Sequence, residues 1–130
     1  MANSNRVVGW ASLAVGAGTG LILGLWSFDG PFAVPDWLGD YGDTSRRLAR
    51  LGHIAFFGLG ILNLLLAREL PGLKDGARRI AAHTMNFGNV FLPLTLFAAA
   101  AWHPLKYLMP LPASAVFVAL AVTAMGVRSA

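Results

Sequence analysis

The sequence predicts an all-α integral membrane protein: an antiparallel bundle of four transmembrane helices, with an interfacial loop between the first and second. Three observations predict it. Hydrophobic residues make up 56% of the 130 residues and charged residues only 12%, against roughly a quarter charged in an ordinary soluble domain. A soluble sphere of this size lacks the interior to hide that much apolar surface. Four predominantly apolar runs stand out, each near the roughly 20 residues of helix that a hydrocarbon core about 30 Å thick requires. The runs show no strict alternation and four strands cannot close a barrel, so their backbone amides must be paired within helices.

The first span covers about residues 7–28, between Arg6 and Asp29. A single positive charge precedes it, its apolar run is long and no A-x-A site follows, so a transmembrane helix is expected and not a cleaved signal peptide. Gly16, Gly20 and Gly24 recur every four residues. They are expected to form a smooth stripe that another helix backbone approaches closely, either within the bundle or from another subunit. The segment 29–47 contains Pro31, Pro35, Gly39, Gly42 and four aspartates, which break a continuous helix. One interfacial turn is expected around Pro35 to Leu38, with Trp37 facing lipid and Thr44 or Ser45 capping the next helix.

The second span, about 48–67, opens among Arg46, Arg47 and Arg50 and closes at Arg68 and Glu69. Pro71, Gly72 and Gly76 mark a short turn to the third span, about 80–102, which follows Arg78 and Arg79 and stops before His103 and Pro104. The fourth, about 109–127, opens at Pro110 and Pro112, where a missing backbone N–H costs little, and ends at Arg128. Ala115, Ala119 and Thr123 give it a weaker small-residue stripe. The chain is expected to be one transmembrane domain, 1–130.

Charge sets the orientation. Arg6, Arg68, Lys74, Arg78, Arg79 and Arg128 fall on one side, against Arg46, Arg47, Arg50 and Lys106 on the other. The bias favours both termini in the cytoplasm, in a bacterial inner membrane. Trp10 and Trp26 are 16 positions apart, about 24 Å along a helix, which places one near each interface. The formal net charge is +4, yet no basic run exceeds two residues and no recognition motif is present, so nucleic acid is excluded as a partner. With no cysteine, disulfide scaffolds, thiolate metal sites and cysteine nucleophiles are excluded as well.

Polar groups inside a membrane are costly, which makes them the candidates for function. An outer group joins His53, His103 and Lys106. Two facing imidazoles suit a haem b iron, with copper or a quinone as further candidates and Lys106 placed to pair with haem propionates. The competing reading is two interfacial structural histidines. An inner group contains Asn63 on the second span and His83, Asn86 and Asn89 on the third. The three-residue steps predict a shared face, and Pro93 frees the carbonyl of Asn89. A register-fixing hydrogen-bond network is the expectation, with a quinone headgroup or a proton relay through His83 as the functional alternative.

No Asp or Glu lies in any span, which argues against a carboxylate-driven relay. No HExxH, GxSxG or P-loop is present, so peptidase, hydrolase and NTPase chemistry have no residues to stand on. No metal cluster built from protein ligands alone is expected. The layout of four short spans with a histidine near the outer surface resembles the small helical membrane subunits and assembly factors of respiratory and photosynthetic complexes. That resemblance of architecture implies a non-catalytic accessory or assembly subunit among membrane lipids, bound to other membrane subunits or to its own copies. The alternatives are a small b-type cytochrome, or a metal- or quinone-binding protein, using His53 and His103, and a small carrier or channel lined by Asn63, His83 and Asn86.

Overall fold

A computed structural model describes residues 1–128. Along the chain come α1 (Ala2–Leu25), α2 (Thr44–Glu69), a 3-10 turn (Leu70–Gly72), α3 (Asp75–Ala101), a 3-10 segment (His103–Leu108) and α4 (Pro110–Arg128). No strand occurs among the described residues, and four helical segments are long and apolar enough to cross a membrane.

The first three helices begin earlier than the apolar runs do. An apolar run marks what hydrocarbon tolerates, whereas the hydrogen-bond ladder continues through polar residues such as Asn3 to Arg6 and Asp75 to Arg79. α1 also stops earlier, at Leu25, where Trp26 and Ser27 donate to Leu23 and Gly24 in tighter three-residue bonds. Phe28 and Asp29 then turn the chain away with φ of 54° and 56°. α2 is capped in position by Asp43, whose side chain makes no cap hydrogen bond and instead accepts from the Asp40 amide at 2.7 Å. The expectation of Thr44 or Ser45 as cap is thus corrected: both lie inside α2, and Ser45 uses its hydroxyl elsewhere.

α1 packs on α2, α2 on α3 and α3 on α4, with α1 also touching α3. Small residues set these approaches. A Cβ added to Gly9 would lie 2.8 Å from the Leu64 side chain and 3.0 Å from the Gly60 carbonyl oxygen. At Gly16 it would meet the Phe57 ring at 3.0 Å, and at Gly20 it would collide with the His53 ring. Gly52 of α2 lies against the Phe97 ring and the Pro93 carbonyl, and Gly88 of α3 against Pro112 and Val116 of α4. α3 runs through Pro93 without a break.

The residues α1 buries are Asn5, Gly9, Ser12 and Gly16. Their steps of four, three and four keep all of them within about 60° of one another around the helix. A strict step of four advances about 40° each time, so the expected glycine stripe rotates away from its neighbour. Gly16 and Gly20 face α2, while Gly24 has open space around it.

Two apolar clusters flank the polar middle. Leu66, Leu70, Leu73, Ala81, Ala82, Met85 and Ala119 close one end. Leu38, from the loop, inserts with Ala49 and Ala100 at the other and is fully buried. The turn expected around it exists, with Leu38 N–H donating to Pro35 O at 2.9 Å, and Trp37 is exposed. α4 buries only Pro112 and Ala119.

Candidate functional site

The polar residues form a hydrogen-bonded chain across three helices, Ser4–Asn86–Asn63–Asn5, and a separate pair, Ser12 with Asn89. Asn5 Nδ2 donates to Asn63 Oδ1 at 2.6 Å and to the Ala82 carbonyl at 3.2 Å. Asn63 Nδ2 donates to Asn86 Oδ1 at 2.9 Å, and Asn86 Nδ2 reaches Ser4 Oγ at 3.1 Å. Two turns further along α1, Ser12 Oγ donates to Asn89 Oδ1 at 3.0 Å. Asn5, Asn63 and Asn89 are fully buried. A primary amide carries two donors and two acceptor lone pairs, so it links two neighbours at once. Such bonds fix the rotation and height of α1 against α2 and α3 more strictly than apolar packing does. The Asn5 Oδ1 and Asn89 Nδ2 atoms remain buried without a hydrogen-bond partner among the described residues.

His83 stands apart from this chain. It is exposed, whereas Asn86 is half-buried and Asn89 fully buried. The cause is geometric: steps of three fall back about 60° each around a helix, so His83 and Asn89 are about 120° apart and cannot both point inward. The expected path lined jointly by Asn63, His83 and Asn86 is therefore not assembled.

The two outer histidines are not brought together either. His53 directs Nδ1 to the Gly16 carbonyl at 2.8 Å, with Thr19 Oγ1 at 3.5 Å and the Phe57 ring edge-on at 5.3 Å. A carbonyl oxygen only accepts, so Nδ1 carries the proton in this contact and Nε2 keeps its lone pair in the neutral ring. His103 instead pairs Nε2 with Ser45 Oγ at 2.9 Å. Ser45 is eight positions before His53, about 12 Å along α2. Lys106 lies over the Tyr107 ring at 5.2 Å. No group of three metal-ligating side chains occurs among the described residues.

Arg46 is the charged residue that sequence reasoning placed only as an orientation signal. It is buried and donates to the Trp26 carbonyl, to Ser27 Oγ at 3.1 Å and to the Gly39 carbonyl at 3.3 Å. One guanidinium thereby ties the end of α1, the loop and the start of α2. Gly39 has φ of 68°, a conformation a side chain resists. Tyr41 joins the cluster, with the Arg50 guanidinium 3.9 Å and that of Arg46 5.7 Å from its ring centre.

Asn5, Ser12 and Arg46 were the residues missed as contacts. For the first two a signal existed: Asn5, Gly9, Ser12 and Gly16 follow a four-three-four spacing of small and polar residues, the pattern of a closely packed seam. Comparison of the chain with protein-family models, curated proteins and solved structures finds no significant match.

Proposed function

We propose that the chain is a small accessory or assembly subunit of a membrane complex, inserted as an antiparallel four-span bundle with both termini in the cytoplasm. The observation that supports it most is the outer face of α4. Ala113, Phe117, Leu120 and Ala124 are all exposed and follow the four-three-four spacing that on α1 lines an interhelical seam. In lipid, association is driven by close packing and interhelical hydrogen bonds, so a face that sets small Ala113 and Ala124 on either side of bulky Phe117 and Leu120 suits another membrane helix. The amides of α1, α2 and α3 serve register inside the subunit, which fits a scaffold. An energy-transducing membrane of the bacterial inner type rests on the resemblance of layout and on the charge bias.

The test is the mass of the protein extracted in mild detergent from its own membranes. The parent is expected above its monomer mass of 13.8 kDa, and the double variant Ala113→Trp/Ala124→Trp at the monomer mass with unchanged melting. A monomeric parent, or a complex that survives the double variant, overturns the proposal.

A second reading is a haem- or quinone-binding subunit in which His53 alone of the outer pair is the ligand. Its support is the Nδ1 contact with Gly16, which leaves Nε2 as the lone-pair nitrogen, the arrangement common in metal-ligating histidines. A Soret band lost in His53→Ala and kept in His103→Ala would establish the haem form. For the quinone form, native mass spectrometry with added ubiquinone should give an adduct lost only in His53→Ala. Colourless protein that also forms no such adduct removes this reading.

A further inference from the structure

Between α1 and α2, at the end of the bundle opposite the loop 29–43, lies a cavity of about 450 Å³ lined by Ala2, Arg6, Trp10, Leu64, Arg68 and Pro71. Its lining divides into two chemistries. Arg6 and Arg68 come from different helices and border the same space, and neither pairs with a carboxylate; the Arg78–Asp75 pair is the one ion pair among the described residues. Trp10, 63% exposed, together with Leu64 and Pro71, supplies an apolar wall.

Two guanidiniums bordering one cavity repel each other unless an anion sits between them, and a guanidinium presents paired donors that match phosphate oxygens. An indole beside them is the side chain favoured at headgroup depth. Ala2 and Pro71 also line an adjoining cavity of about 210 Å³ that reaches Arg78. The Nε of Arg78 is buried without a hydrogen-bond partner among the described residues.

We propose that this groove is a binding site for an anionic phospholipid, its phosphate held between Arg6 and Arg68 and one acyl chain lying along Trp10 and Leu64. Basic pockets between membrane helices recognise lipid headgroups in this way. The occupant is amphiphilic because the lining is: inorganic phosphate satisfies the arginines and leaves the apolar wall uncovered. By contrast, the groove of about 430 Å³ beside Arg47 and Arg50 is lined by residues of α2 alone. Its arginines do not converge from two helices.

The inference rests on the membrane-spanning reading, which is scored separately by retention in carbonate-washed membranes. Full-length protein in neutral detergent is titrated with dimyristoyl phosphatidylglycerol or dimyristoyl phosphatidylcholine and followed by native mass spectrometry. Phosphatidylglycerol is expected to be retained in preference, and inorganic phosphate at equal concentration not to displace it. Arg6→Gln/Arg68→Gln is expected to weaken retention roughly thirtyfold, two arginines each contributing the usual interfacial value. Both residues are exposed, so the fold is retained, and Arg47→Gln should bind as the parent does. Equal retention of phosphatidylcholine, parent-like binding by the double variant, or an equal loss in Arg47→Gln would each overturn the proposal.

Discussion

Asn5 and Asn63 are 58 positions apart in sequence, yet their side-chain amides meet at 2.6 Å with both residues fully buried. Asn63 in turn holds Asn86, so α1, α2 and α3 share one polar joint. Replacing Asn63 with Leu strands a donor on Asn5 and an acceptor on Asn86. The expected loss is about 2 kcal/mol, from unpaired buried polar groups. A double-mutant cycle of Asn5→Leu and Asn63→Leu, read by unfolding in mixed micelles, should return a coupling of about 1 kcal/mol. A coupling of zero would show that the joint contributes nothing to stability.

Glycines that look alike in sequence should respond oppositely. Gly9 lies against Leu64 and the Gly60 backbone, while a Cβ added at Gly24 would meet no neighbouring side chain or helix within 4 Å. Gly9→Val is expected to lower stability by about 1–3 kcal/mol through overpacking. Gly24→Ala should be neutral or stabilise by up to about 1 kcal/mol, since it lies in open helix. Thermal melting of the two variants in one detergent decides the matter; equal effects would contradict the seam described for α1.

Arg46 ties the end of α1, the loop and the start of α2 together. Arg46→Ala should cost about 2 kcal/mol and loosen the loop between α1 and α2. Hydrogen exchange across residues 29–43 reads that loosening directly. Arg46→Lys should rescue poorly, because a compact ammonium cannot span the separate acceptors that the planar fork reaches. Unchanged protection in Arg46→Ala would remove the tether from the account.

The chain has no cysteine, so an introduced cysteine is the one thiol this protein offers to a label. Asp36→Cys, on the loop after α1, is expected to react with a membrane-impermeant maleimide from outside. Lys74→Cys, between α2 and α3, should react only after the membrane is opened. The reverse pattern would invert the orientation, and labelling of both positions from outside would refute the four-span reading.

Composition and run length were enough to determine that the chain is helical, with four segments long and apolar enough to cross a membrane, because those properties belong to each segment alone. The presence of a polar set on the third span was also legible, since Asn86 and Asn89 interrupt an apolar run. Rotation was not legible. Whether His83 joins Asn89, or Gly24 joins Gly16, depends on how many degrees a three- or four-residue step accumulates against a particular neighbour, and the neighbour is set by the other helices. Only the tertiary structure decided that Asn5 belongs to the polar joint, that His53 turns to α1 while His103 turns to Ser45, and that Arg46 is buried. Each of those outcomes is a contact between distant segments, and the sequence records the partners without the geometry that selects among them.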